Sequence, residues 1–467
     1  MLLYTIPYTL RGGNKTLYRV ALWTTLLVLM EIMVMCRGED IINKISWGVG
    51  NGLNEITIWF VVDGVSKIFI LLTAIIIPTV VISFKSVVRR GVTREEERLI
   101  WFLILLMELL IIVIFSVRDI IIFYICFEGI LIPMYIIIGR YGSRERKVRA
   151  GYLFFIYTLV GSLLMLLGIV VIIVKTGTTN MIEIREIMRI KPMGWEIEKW
   201  IWLGFFLSFA TKVPMIPLHL WLPEAHVEAP TGGSIVLASI LLKLGVYGFY
   251  RILIEGMPEV SRYYTPLIYV LGVVGVIYAS LTAIRQTDLK RIIAYASIAH
   301  MNLVMIGLFS WTIEGVQGAL LQSVSHGFVA SGLFACVGII YERYHTRIIT
   351  YYGGIIEIMP VYGICLLIFM LANISLPGTS SFVGEFLILV GIGKVSIIIM
   401  ILGGLGVILS AIYSLWVYNR ISFGNYKGEY MVEKVEDITG EELSIIIPYI
   451  IMIMVIGIWP KMITMYL

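Results

Sequence analysis

The sequence predicts an all-α polytopic membrane protein of about 13 transmembrane helices, containing two inverted five-helix repeats that each carry a broken helix. Three observations carry this reading. Of the 467 residues, 59% are hydrophobic and only 14% are charged, well below the charge content of an average soluble domain. Apolar stretches of bilayer length recur almost from end to end, and no hydrophilic block is long enough to fold separately. The few ionisable residues inside these stretches lie near their centres. A charge there costs about 2.5–3.5 kcal/mol or more and persists only against a partner or a wet cavity.

Windows of roughly 20 apolar residues place helices over 20–36, 61–84, 99–117, 119–139, 151–174, 200–227, 233–250, 265–284, 292–309, 316–341, 361–391, 395–419 and 443–460. Arg118-Asp119 separates the third from the fourth. Of the 36 Lys and Arg, 21 fall on loops sharing the side of the N-terminus, 12 on the opposite loops, and three (Lys67, Lys212 and Lys243) within spans. Loops rich in Lys and Arg stay on the cytoplasmic or matrix side, so the N-terminus is expected inside and the C-terminus outside. A helix missed in the middle would scramble this asymmetry. Met1–Leu10 is too short to span and lacks the pattern of a signal peptide or presequence. The four cysteines, Cys36, Cys126, Cys336 and Cys365, show no CxxC spacing, which argues against an iron–sulfur or zinc site and gives no disulfide framework. The net charge of +5 fits basic loops on one side and needs no nucleic-acid partner. No Walker A loop, GxGxxG turn or Ser-His-Asp arrangement is present.

Proline interrupts two spans in similar fashion, at Ala210-Thr-Lys-Val-Pro-Met-Ile-Pro217 in the sixth and Ile374-Ser-Leu-Pro-Gly-Thr-Ser-Ser-Phe-Val-Gly-Glu385 in the eleventh. Each is the fourth helix of a five-helix group. The chain therefore divides into two N-terminal helices with a basic loop (1–98), a first repeat (99–254), a second repeat (265–419), and a loop with a C-terminal helix (420–467). An odd number of helices per repeat puts the copies in opposite orientation. Broken helices at matching places in inverted halves point to an ion site, because a break is tolerated only where protein or water satisfies the freed backbone. Proline kinks without a transport role are the bland alternative; the ionisable residue in each break weighs against it.

Lys212, in the first break, reads as a transport site. Glu128 lies in Phe123-Tyr-Ile-Cys-Phe-Glu-Gly129 with apolar neighbours on nearly every side. A pair with Lys212 would keep both groups charged, and making or breaking it would couple proton movements; a static buried ion pair is the alternative. Lys243 is a second central lysine, able to pass a proton onward through water. Its position is too central for comfortable snorkelling. His300 and His326 sit in consecutive helices among Ser, Tyr, Asn and Gln, a setting for a relay, with a packing role or a bis-histidine haem as alternatives. Glu385 ends the second break and would serve as the exit carboxylate, or merely cap the break. Glu108 and Asp119 are secondary candidates against packing or interface roles, and Glu31 and Lys67 are expected at interfaces. His219 and His226 flank Trp221-Leu-Pro-Glu224, but Pro223 spoils the register a metal site would need. Gly403-Gly-Leu-Gly-Val407 reads as a small-residue packing face.

Three segments resemble the signature of the antiporter-like proton-pumping subunits of respiratory complex I (NADH:ubiquinone oxidoreductase). They are the run from Leu222-Pro-Glu-Ala-His226 through Leu241-Leu-Lys-Leu-Gly245 to Arg251, then Asp288-Leu-Lys-Arg-Ile-Ile-Ala-Tyr-Ala-Ser-Ile-Ala-His300, and Leu376-Pro-Gly-Thr-Ser-Ser-Phe-Val-Gly-Glu-Phe386. The resemblance covers about the last three quarters of the chain. It implies Glu128 and Lys212 as the pumping pair, Lys243 as the central lysine, His300 and His326 as the polar axis, and Glu385 as the terminal carboxylate. Sister chains and many cation/proton antiporter subunits usually have lysine at that last position. It further implies a membrane-arm subunit that moves protons while quinone is reduced elsewhere in the complex. The expected partners are other membrane-arm subunits, sister antiporter-like chains among them, and membrane lipids. No cofactor is expected in this chain; NADH, FMN, iron–sulfur clusters and ubiquinone would belong to other subunits. The implied location is the mitochondrial inner membrane, with a bacterial plasma membrane as alternative. The family commonly has fourteen helices with both ends outside, so thirteen with the N-terminus inside implies loss of the first. A subunit of a multi-subunit sodium/proton antiporter is the second reading, and a haem-bearing cytochrome the third.

Overall fold

The computed structural model describes residues 15–38, 40–48, 55–89, 91–425 and 436–467; Met1–Leu10 lies outside them. Among the described residues, eleven helices are long and apolar enough to cross a membrane. In chain order the helices begin with α1 (Lys15–Arg37), α2 (Gly64–Arg89) and α3 (Arg94–Ser116). The fourth span is two helices, α4 (Ile120–Gly129) and α5 (Leu131–Tyr141), and α6 (Lys147–Thr176) follows. The expected continuous helix over 119–139 is thus interrupted just after Glu128. The sixth span is broken as the sequence implies, into α7 (Trp195–Lys212) and α8 (Trp221–Glu228). Next come α9 (Thr231–Ile254), α10 (Thr265–Arg285), α11 (Leu289–Leu308) and α12 (Ile313–Tyr344). The eleventh span is broken into α13 (Pro360–Asn373) and α14 (Ser380–Gly393), and α15 (Ile397–Ser422) and α16 (Gly440–Ile458) complete the set. Every expected span has its counterpart, the two broken ones included.

Helix starts follow local capping chemistry. Thr93 with Glu96 and Thr439 with Glu442 form capping boxes at α3 and α16, and Asp119 and Asp288 cap α4 and α11 with their carboxylates. Each such side chain satisfies N–H groups that the first turn leaves open. Burial then sorts the spans. The apolar stretches of α9, α11 and α12 are 94%, 89% and 100% buried, whereas those of α1, α15 and α16 are 17%, 22% and 28% buried. Lys243, His300 and His326 sit on the first group.

Two elements differ from the sequence reading. An antiparallel hairpin pairs β1 (Ile41–Gly48) with β2 (Glu55–Val62), with Ile41 opposite Val62. The second span therefore starts at Gly64, not at residue 61. The apolar run through Trp59-Phe-Val-Val62 is strand because it pairs with β1 and bridges Val117, while the Arg118 N–H donates to the Trp59 carbonyl at 2.9 Å. A short amphipathic helix, Met181–Ile190, buries Ile184 and Met188 on one face and exposes Ile190 on the other.

Candidate functional site

The two breaks and one distorted helix position the chemistry. α9 contains two π-helical turns, Leu237–Leu241 and Phe249–Ile254, on either side of Lys243. Widened turns of this kind are rare and often mark functional sites, because they leave carbonyls poorly served by the helix's own N–H groups. Lys243 serves one of them. Its wholly buried ammonium donates to the Ala238 carbonyl at 2.6 Å and meets His326 Nδ1 on α12 at 2.8 Å. A charged ammonium can only donate, so His326 must present a bare Nδ1 to it.

The line continues into the second repeat. The ring of His300 on α11 lies 5.8 Å from that of His326, tilted by 48°. His300 Nδ1 is 2.8 Å from Glu385 Oε1 on α14, and Gln322 Nε2 donates to the same oxygen at 3.0 Å. Glu385 Oε2 and His300 Nε2 are buried without a hydrogen-bond partner among the described residues. Lys243, His326, His300 and Glu385 thus form one polar thread through the buried helices. Both histidines point their Nδ1 atoms at neighbouring side chains.

The first repeat departs from expectation. Lys212, at the C-terminus of α7, donates to the Phe127 carbonyl at 2.6 Å and stands 3.2 Å from the centre of the Phe127 ring. A cation over a desolvated aromatic face gains about 2 kcal/mol or more. Neither oxygen of Glu128 has a hydrogen-bond partner among the described residues, although both are buried. The expected direct pair of Glu128 and Lys212 is therefore not formed. The interruption between α4 and α5 explains this, because it presents the Phe127 carbonyl and ring to the ammonium in place of the neighbouring carboxylate. Glu128 remains within electrostatic reach of Lys212, with Ser162 beside it.

The secondary candidates divide. Glu108 is buried in α3, with Oε1 unpartnered among the described residues. Asp119 is a cap: its carboxylate accepts from the N–H groups of Ile121 and Ile122 at 2.9 and 3.0 Å and from the Thr179 hydroxyl. His219 lies in the irregular stretch between α7 and α8 with its ring 5.7 Å from that of Tyr278. No group of three potential metal ligands occurs among the described residues. Lys67 is buried and paired with Asp40 at 2.9 Å, near the start of α2.

Sequence reasoning passed over several groups. Lys290 donates to the Ala229 carbonyl at 2.7 Å and the Ser234 hydroxyl at 3.3 Å, although its place two residues after the Asp288 cap reads as interfacial. His226, which the sequence offered only as a weak metal ligand, is fully buried and stacks on Phe334 with ring centres 4.5 Å apart. On the hairpin side, Asp63 holds both Arg118 and Arg251, and Arg251 also reaches Glu255 at 3.0 Å. Burial pushes the Asp63 carboxyl up, but Arg251 and Arg118, with the Ser66 N–H, hold it below the usual carboxylate range. These contacts join residues far apart in the chain, so only three-dimensional proximity exposes them.

Comparison with known proteins identifies the family. The family model described as NADH:quinone oxidoreductase/Mrp antiporter, TM, matches residues 117–412. NADH-ubiquinone oxidoreductase chain 4 of Marchantia polymorpha is 46% identical, over 95% of this chain and 88% of that protein. A chain of respiratory complex I from Thermus thermophilus with bound NADH superposes with a TM-score of 0.84 at 31% identity, over 97% of this chain and 91% of that one. A chain of the Mrp complex from a Dietzia species shares the fold, with a TM-score of 0.82 at 17% identity over 97% and 91% of the two chains. The chain belongs to the NADH:quinone oxidoreductase/Mrp antiporter transmembrane family and, within it, to the NADH-ubiquinone oxidoreductase chain 4 proteins.

Proposed function

We propose that this chain is the proton-translocating chain 4 subunit of the complex I membrane arm in the mitochondrial inner membrane, and that Glu128, Lys212, Lys243, His326, His300 and Glu385 carry the protons. It works beside other membrane-arm subunits, sister antiporter-like chains included. NADH, FMN, iron–sulfur clusters and ubiquinone act in those other parts of the complex, and electrons do not pass through this chain. The observation that carries the proton path is the thread from Lys243 Nζ to Glu385 Oε1, with 2.8 Å contacts at both ends and two facing imidazoles between. Imidazole accepts on one nitrogen and donates on the other, so a water between the two rings would complete a relay from ammonium to carboxylate.

In this reading Lys212 has two resting places. One is the Phe127 carbonyl and ring, where it stands here; the other is the unpartnered Glu128 carboxylate. Moving between them changes the charge that Lys243 faces, and a proton is handed toward Glu385 in response. The residues 99–254 and 265–419 act as the two inverted repeats that hold the two halves of the path.

NADH:quinone electron transfer and proton uptake, measured together in sealed inside-out vesicles carrying Glu128→Gln, test the reading. Loss of pumping in an assembled complex is expected. Normal rates of both would remove Glu128 from the path.

A further inference from the structure

Four side chains of α11 meet the first broken helix in order along its length. Asn302 donates to the Pro214 carbonyl at 3.4 Å, and the Tyr295 ring stands 6.4 Å from that of His219. Arg291 donates to Glu224 at 2.6 Å, and Lys290 to the Ala229 carbonyl at 2.7 Å. From Lys290 to Asn302 a helix rises roughly 18 Å. One element of the second repeat therefore runs beside the whole stretch from the break to the end of α8.

A break depends on such support, because carbonyls outside a regular helix must find partners elsewhere. The Thr211 carbonyl takes the Trp221 indole N–H at 2.8 Å, and the Pro214 carbonyl takes the Asn302 amide. Asn302 is wholly buried, and its amide also donates to the Ile298 carbonyl of its own helix at 2.8 Å. Two carbonyls at one end of the amide settle its orientation, since its oxygen would be repelled there. That oxygen, Oδ1, has no partner among the described residues and lies against Gly275 of α10, where a Cβ would fall 2.4 Å from it. At the far end, the last turn of α8 has carbonyls that its own N–H groups leave open. The Ser234 hydroxyl serves His226 at 3.1 Å, Arg347 serves Val227, the Ser143 N–H serves Glu228 at 3.2 Å, and Lys290 serves Ala229. Two of these four partners are cations of the second repeat, the sign of charge that a helix C-terminus favours.

Residues two apart on an α-helix point about 200° away from each other. Asn302 thus faces the first break, two residues from Lys212, while His300 faces Glu385 in α14, beyond the second break. We propose that α11 is the mechanical link between the two breaks, and that Asn302 and Arg291 are positioning residues that hold the first broken helix to it. A shift of the segment bearing Lys212 is then passed to His300 through one stiff, 20-residue helix in contact with both. Packed side chains and rigid helices are the elements that carry coupling over such distances. The inference rests on the proposed roles of Lys212 and His300 and adds a connection between them that does not act through charge alone.

The test compares Asn302→Leu with Lys212→Met in the intact complex, in sealed inside-out vesicles. Coupled NADH oxidation and protons pumped per electron are read beside the amount of assembled complex. Leucine keeps the size of asparagine and removes the amide. Coupled turnover of the assembled Asn302→Leu complex is expected to fall roughly two- to tenfold, the scale of one lost hydrogen bond, with fewer protons per electron. A role confined to folding would lower the amount of complex and leave protons per electron unchanged, and that result overturns the link. Normal pumping in Lys212→Met overturns the reading on which the link rests; a defective Lys212→Met beside a normal Asn302→Leu overturns the link alone. If Asn302→Leu does not assemble, the pair at the inner end decides. Arg291→Glu should lower protons per electron, and Arg291→Glu with Glu224→Arg should restore them. Parent behaviour in the single variant, or no recovery in the double, overturns the proposal.

Discussion

Replacing Lys243 with methionine separates proton chemistry from packing at the centre of the path. Methionine is close to lysine in length and fills the same space, but it abandons the Ala238 carbonyl and His326 Nδ1, now 2.6 and 2.8 Å from the ammonium. Leaving a buried acceptor unpaired costs about 1–3 kcal/mol, so the two together cost roughly 2–6 kcal/mol. Against this, the buried ammonium no longer has to be kept out of water, a penalty of several kcal/mol for an ion. The two terms are of similar size, so the variant is expected to fold and assemble. Function should fare differently. On the proposed path Lys243 is the group that hands a proton to His326, and losing a positioned proton-transfer group slows transfer by about 10²–10⁴-fold. The assay is dye-monitored acidification of sealed inside-out vesicles beside NADH:quinone turnover, with assembly checked on native gels. Lys243→Arg supplies the control, because arginine keeps the charge but does not release its proton. Both variants are expected to lose pumping. Full pumping in Lys243→Arg with none in Lys243→Met would show that the lysine acts as a fixed charge, and would refute the relay.

Three further outcomes are expected. Gly248→Ala places a Cβ 2.4 Å from the Phe209 ring, a buried aromatic packed against other rings; overpacking of about 1–3 kcal/mol should reduce assembled complex on native gels, while wild-type levels would show that the ring gives way. Phe127→Leu removes the face on which Lys212 rests, about 2 kcal/mol for a desolvated cation. If that face sets the resting place of Lys212, the NADH oxidation rate and its pH profile shift while assembly is kept, and an unchanged profile argues otherwise. Asp63→Asn leaves Arg118 and Arg251 without their shared counter-charge and should lower thermal stability of the complex. The folded-state carboxyl of Asp63 lies below its ordinary value, so its contribution is present above that ordinary value, near pH 4, and fades as the pH falls through the folded one. The acid limb of the melting curve should therefore flatten in Asp63→Asn relative to the parent; parallel limbs would remove Asp63 from the account.

The composition and spacing of the chain determine a great deal. Spans of bilayer length, the asymmetry of Lys and Arg, and two proline-interrupted segments follow from one-dimensional constraints, since a bilayer demands about 20 apolar residues per crossing whatever the neighbours. The same logic singled out Lys212, Lys243, His300, His326 and Glu385, because an ionisable residue in an apolar span is costly enough to stand out. It could not say which of them touch. The neighbours of His326 and Glu385 lie 83 and 85 residues away in the chain, and the packing of α9, α11, α12 and α14 sets those distances.

Tertiary structure also decided against the sequence in places. Asp119, weighed in the sequence against a packing or interface role, caps α4 locally, and the fold adds the Thr179 hydroxyl to its carboxylate. The strand at Glu55–Val62 looked like the head of a helix, since an apolar run has no period that tells a short strand from a helix start. Lys212 turned to a carbonyl and a ring instead of to Glu128, because the interruption after Gly129 sets the direction of each group. Tyr413 of α15 looks like an ordinary residue of an apolar helix until the fold brings its hydroxyl to the amide of Asn373, at the end of α13. Sequence fixes what each segment must avoid, water or lipid; only packing decides which buried polar group finds which partner, because each pairing depends on backbone positions far apart in the chain.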